Sequence, residues 1–205
     1  MIAGLALVLL VLLALGAPVL ASETGLSGGE GHPRVRFPLA IHAQPLGEAE
    51  LDAAVRGAVD DWNTLFRETL GLEAFAWVVE REAAQITLGG ERAPSSKMMG
   101  ETHLRADEAG VIAAPVRIVV FEPTARGQTS RATVLYQIVA HELGHALGLA
   151  HTRDPRSLMC CVRGSVDFND PVAREAYIEA RRHPDARSVR AQLAEHYARF
   201  WRKRD

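Results

Sequence analysis

Across Arg131–Leu147 the chain is apolar almost all the way round a helix: Val134, Leu135, Ile138, Val139, Leu143, Ala146 and Leu147 leave a polar side only at His141, Glu142 and His145. A helix of that kind is buried. Burying imidazoles without a partner is costly, and the helix holds no Asp or Glu besides Glu142 to satisfy them. The fold must therefore give His141 and His145 something to bind. Set four residues apart, they lie on one helical face, so their rings can converge on one metal ion. Gly148 then stops the helix, because a glycine accepts the left-handed turn that brings His151 back toward the pair.

Three neutral histidines leave one position of a tetrahedral zinc open for water, the pattern of a catalytic rather than a structural site. Glu142 follows the first histidine by about 100° around the helix axis. It is placed to take the proton of an activated water as that water attacks a carbonyl, and to pass it to the leaving amine.

The pattern His141-Glu142-x-x-His145-x-x-Gly148-x-x-His151 resembles the signature of the metzincin zinc metalloendopeptidases. Thr152 and Met159 strengthen the likeness: a small hydroxyl residue after the third histidine is common in the matrixin (peptidase M10-type) branch, and Met159 stands where that family has its Met-turn. The resemblance runs from about Arg34 to Met159. It implies an α/β (α+β), zincin-like fold: a twisted mixed sheet with an antiparallel edge strand, an active-site helix, and C-terminal helices beyond. It also implies one catalytic Zn2+ held by His141, His145 and His151, with Glu142 as general base and Met159 as the apolar floor. No additional structural calcium or zinc is expected. The implied substrate is an extended peptide or protein pairing with the edge strand Gly100–Asp107. The sequence departs from the family at Cys160 and Cys161, where relatives often carry Tyr and Pro, and no Cys precedes the domain to form a cysteine switch. A reading from a different class is a zinc-containing module that binds peptides without cutting them; Glu142 argues against it.

The flanks set the context. Residues 1–21 form a long uncharged apolar run ending in Val19 and Ala21. It reads as an export signal cleaved before Ser22, or as an uncleaved membrane anchor, so a secreted or periplasmic location is expected, with membrane attachment only in the second case. Residues 22–33, rich in Gly and Ser, read as a flexible linker. Residues 34–170 read as the catalytic domain and 171–205 as a helical extension that docks on it. The formal charge of -2 draws the protein to no nucleic acid, and a monomer is expected.

Within the domain, alternation over Val35, Phe37, Leu39 and Ile41 predicts a strand, which Pro38 confines to an edge or a bulge. Helical spacing follows from Glu48 to Leu70, then short strands at 75–80 and 84–90 and a hairpin turning near Asp107–Gly110. Asp170 and Pro171 open one further helix; Val189, Leu193, Tyr197 and Phe200 or Trp201 stripe the last. The adjacent cysteines admit a vicinal disulfide, two buried thiols, or a thiolate ligand to zinc. His103 reads as a surface residue or a second metal ligand, and His32, His42, His183 and His196 as solvated. The basic stretch from Arg181 onward reads as a solvated face.

Overall fold

The computed structural model describes residues 20–21 (backbone only), 26–91, 99–125 and 127–203. The expected signal or anchor, apart from those two residues, lies outside them, as does most of the loop at 91–100. Six strands make one sheet: β1 (Leu20–Ala21), β2 (Leu39–Ala43), β3 (Phe75–Trp77), β4 (Ile86–Glu91), β5 (Gly100–Ala106) and β6 (Ile112–Phe121). Their order is β1-β5-β6-β4-β2-β3. The run from β6 through β4 and β2 to β3 is parallel, and β5 is antiparallel to β6. This is the mixed, mostly parallel sheet the sequence implies. Beyond β5, β1 adds an antiparallel pairing at Leu104 and Arg105 alone.

Two helices back the sheet. In α1 (Ala49–Leu70), which covers the span of helical spacing, Leu51, Val55, Val59, Trp62 and Phe66 form a buried stripe, and Gly71 ends the helix in the left-handed conformation. In α2 (Arg131–Ala146), the Ser130 side chain caps the start by accepting from the Thr133 N–H. Trp62 ties the two together by donating its indole N–H to the Ala140 carbonyl.

The first predicted strand is shorter than its alternation suggests. Arg34–Arg36 form a single 3-10 turn, Val35 is 93% exposed, and the strand begins at Leu39. Pro38 thus precedes the ladder and removes no donor from it, which is why β2 can lie inside the sheet between β4 and β3. The other departure is in the Gly/Ser-rich segment, whose described part is packed rather than loose. Gly31 pairs with Val111, and its N–H and carbonyl bond to Gly110 and Ile112. Glu30 folds back so that its carboxylate accepts from the N–H groups of Ser27, Gly28 and Gly29.

At the C-terminal end, α3 (Pro171–Arg182) starts on an Asp170 cap with Pro171 in its first turn and buries no residue fully. Next, α4 (Arg190–Arg202) lays Leu193, His196, Tyr197 and Phe200 inward. Apart from His196, these join the same core as α1, α2 and the sheet. Among the described residues, no helix is long and apolar enough to cross a membrane.

Candidate metal centre

Helix α2 delivers His141 and His145 from adjacent turns, and the chain then reverses through Leu147–Ala150. Gly148 has φ +89°, a value L-residues rarely adopt, and it lies so close to the Glu30 carbonyl that a Cβ would overlap it. His151 returns beside the other two. The three Nε2 atoms form a nearly equilateral triangle: 3.1 Å from His141 to His145, 3.1 Å from His141 to His151 and 3.2 Å from His145 to His151.

Those contacts are not hydrogen bonds of a settled kind. His141 donates its Nδ1–H to the Leu158 carbonyl at 2.8 Å, and His145 donates its own to the Leu149 carbonyl at 2.8 Å. In a neutral imidazole with Nδ1 protonated, Nε2 carries only a lone pair. Two lone pairs facing each other at this distance repel unless a cation lies between them. Burial, above all, holds all three imidazoles below the ordinary histidine range, so they stay neutral and able to ligate. For His145 its two histidine neighbours push the same way; for His141, His151 and the Arg181 charge add to it. A tetrahedral zinc with bonds of about 2.0–2.1 Å sets its nitrogen ligands roughly 3.3 Å apart. The triangle fits that ion to within about 0.2 Å, and the carbonyls on both Nδ1 atoms are the outer partners such ligands need.

Glu142 is buried beside the triad. Its carboxylate accepts from Thr102 Oγ1 at 2.8 Å, which fixes it on the first residues of β5. Gly100 leaves room for it, since a Cβ there would come within 2.9 Å of Glu142 Oε1. Beneath the helix, Met159 is fully buried and lies directly against Gly144, with Cε 3.1 Å and Trp62 Cζ2 3.3 Å from where a Cβ would be. A glycine inside a helix costs about 1 kcal/mol relative to alanine; here its use is to admit Met159. Thr102, Gly100 and Gly144 shape the candidate site without having been legible as site positions in the sequence, and of these only the mid-helix glycine left a signal.

The turn between the second and third histidines is held from outside. Tyr197 donates its hydroxyl to the Leu147 carbonyl at 2.9 Å, Gln192 donates to the Ala150 carbonyl at 2.8 Å, and His32 donates Nε2–H to the Ala146 carbonyl at 2.9 Å. Trp201 closes the clamp by donating to the His32 carbonyl. His32 and His196, expected in solvent, are instead 4% and 3% exposed. The reason for His196 is its place on the inward stripe of α4; for His32 it is the Ala146 carbonyl at the end of α2. His183 is exposed and paired with Glu179, and His103 lies beside Glu101. Among the described residues the one His/Cys/Asp/Glu cluster able to hold a metal is the triad, and His103 is not part of it. Cys160 and Cys161 are bonded to each other, so neither offers a thiolate.

A mostly parallel sheet whose antiparallel strand borders a helix carrying two converging histidines, with the third returned by a glycine turn, is a metzincin-like architecture. Comparison narrows the class. Residues 79–170 match the matrixin family (peptidase M10). Macrophage metalloelastase of Oryctolagus cuniculus is 33% identical over 76 residues, a stretch that is 37% of this chain and 13% of that protein. The likeness to the matrixins is thus confined to residues 79–170, and the chain matches only a small part of that relative's length.

Proposed function

We propose that the protein is a zinc-dependent endopeptidase in which His141, His145 and His151 hold the metal and Glu142 is the general base. One observation carries the reading: three Nε2 atoms 3.1–3.2 Å apart, those of His141 and His145 left as lone pairs by the carbonyls on their Nδ1 atoms, with a buried carboxylate on the residue after His141. The matrixin match and the relative's name support the same chemistry. A zinc ion bound there supplies Lewis acidity, which acidifies a water molecule and polarises the scissile carbonyl.

The protein's own residues do the rest. Glu142, oriented by the Thr102 hydroxyl, takes the proton of the attacking water and gives it to the departing amine nitrogen. The substrate is an extended peptide or protein segment. It lies along Gly100–His103 of β5 and adds main-chain hydrogen bonds there as an extra strand. The same reading places the protein outside the cytoplasm, with residues 1–21 as signal or anchor, and acting as a monomer.

The test uses the full chain. Casein degradation is measured as purified, after chelation, and after zinc is restored. The proposal predicts activity that chelation abolishes and zinc returns. Bound zinc with no cleavage of casein or of a broad peptide library would instead mark a peptide-binding module.

A further inference from the structure

Along α2 from the triad lies a cavity of about 240 Å³ that the mechanism above does not use. Its walls include Met99, Val134, Gln137, Tyr177, Arg181 and Arg182. Val134 and Gln137 precede His141 by seven and four residues on α2, so the three share one stripe, and the cavity lies one to two helical turns, about 6–10 Å, before the first histidine. The opposite wall leads to the same centre, because Met99 adjoins Gly100, which packs on the Glu142 carboxylate. An extended chain advances about 3.3 Å per residue, so a side chain next to a bond held at the triad reaches this cavity.

The third wall is α3, and it is cationic. Arg181 donates from Nη2 to the Cys160 carbonyl at 3.1 Å, and its guanidinium lies over the Tyr177 ring, 4.5 Å from the centroid. Cys160 follows Leu158, whose carbonyl holds His141, by two residues. The guanidinium is therefore anchored to the short turn that also fixes the first ligand, with its plane set by the aromatic ring. Among the described residues, no Asp or Glu lines the cavity. Among the described residues neither Arg181 nor Arg182 forms an ion pair. Two guanidinium groups with no carboxylate partner among the described residues thus face a space whose other walls carry no charge, among them Met99, Thr129, Val134 and Gln137.

We propose that this cavity receives the side chain of the substrate residue adjoining the cleaved bond, and that Arg181 selects an acidic one, glutamate over glutamine. The inference rests on the peptidase reading, and the test separates the two. The zinc-loaded full chain is given a library of peptides in which the residues flanking the cut vary, and cleavage is read by mass spectrometry. In parallel, calorimetry measures the affinity of two peptide hydroxamates that differ only in a Glu or Gln side chain next to the hydroxamate.

A charge-assisted hydrogen bond predicts a preference for Glu of about tenfold in both assays. Arg181→Ala is expected to bring the ratio near one, Arg181→Lys to keep part of it, and Arg182→Ala to reduce it less than Arg181→Ala does. Retained Glu selectivity in binding without cleavage of any peptide sinks the peptidase reading and leaves the cavity's preference standing. Cleavage with equal rates for Glu and Gln, equal affinities or no binding, or a ratio that Arg181→Ala leaves intact, overturns the proposal.

Discussion

Gly148→Ala isolates the turn on which the third ligand depends, and its cost can be separated into two parts. Forcing an L-residue to φ +89° costs about 1–2 kcal/mol. The added Cβ also meets backbone: it falls 2.9 Å from the Glu30 carbonyl carbon and 3.2 Å from Gly31 Cα, and nearer still to the Glu30 oxygen. That backbone is tied down by the bonds of Gly31 to Gly110 and Ile112, so it yields only at an overpacking cost of about 1–3 kcal/mol. The sum is roughly 2–5 kcal/mol, which in a chain of this length lowers Tm by about 4–20 °C. Gly71→Ala is the internal control, since Gly71 has φ +70° with nothing within 4 Å of its Cβ position, and it should show the conformational part alone. Urea and thermal unfolding of both variants, with zinc content measured alongside, check the reasoning. Gly148→Ala should be the less stable by at least about 1 kcal/mol and should hold less zinc. If it is no worse than Gly71→Ala, the packing of the 27–31 segment against the turn is wrongly described.

Thr102→Val removes the hydroxyl that orients Glu142; kcat should fall about 10- to 100-fold with KM and zinc content little changed, and steady-state kinetics with metal analysis would show an unchanged kcat if the contact is idle. Tyr197→Phe leaves the buried Leu147 carbonyl without its donor and should cost about 1–3 kcal/mol in denaturant unfolding, although Tyr197 lies outside the matrixin-like region. Burial, above all, lowers the His32 pKa from 6.5 to about 4, so the unfolded chain binds more protons between those values. Its contribution is complete above pH 6.5, is lost as pH falls toward 4, and is flat below, a change of about 3 kcal/mol. The stability difference between wild type and His32→Gln should shrink by that amount over the same window; a pH-independent difference would show that His32 is not buried neutral.

The parts of the fold that were legible in the sequence are those set by local physics. The helical spacing of α1, the Asp170 and Pro171 start of α3 and the Asp107–Gly110 turn all follow from periodicity and backbone preference, and the structure has each where the sequence put it. The convergence of His141, His145 and His151 was legible for the same reason, since helix pitch and one glycine determine it. What the sequence hid is long-range. Thr102 meets Glu142 across 40 positions, and Tyr197 meets Leu147 across 50. No spacing rule links residues brought together only by sheet order and by the return of α4. His196 shows an intermediate case: its step of three from Leu193 and four to Phe200 placed it on the buried stripe, and its polarity alone suggested solvent. Val35 failed in the other direction, where alternation mimicked a strand that the prolines at 33 and 38 interrupt.

The central claim is that one zinc bound by the triad works through the Glu142 carboxylate. It is tested most directly by the turnover rate of zinc-loaded Glu142→Ala on a peptide the wild type cleaves, with the metal counted in the same sample. The account predicts one zinc per chain and a rate lower by about three orders of magnitude or more. One zinc per chain with a rate close to wild type would contradict it.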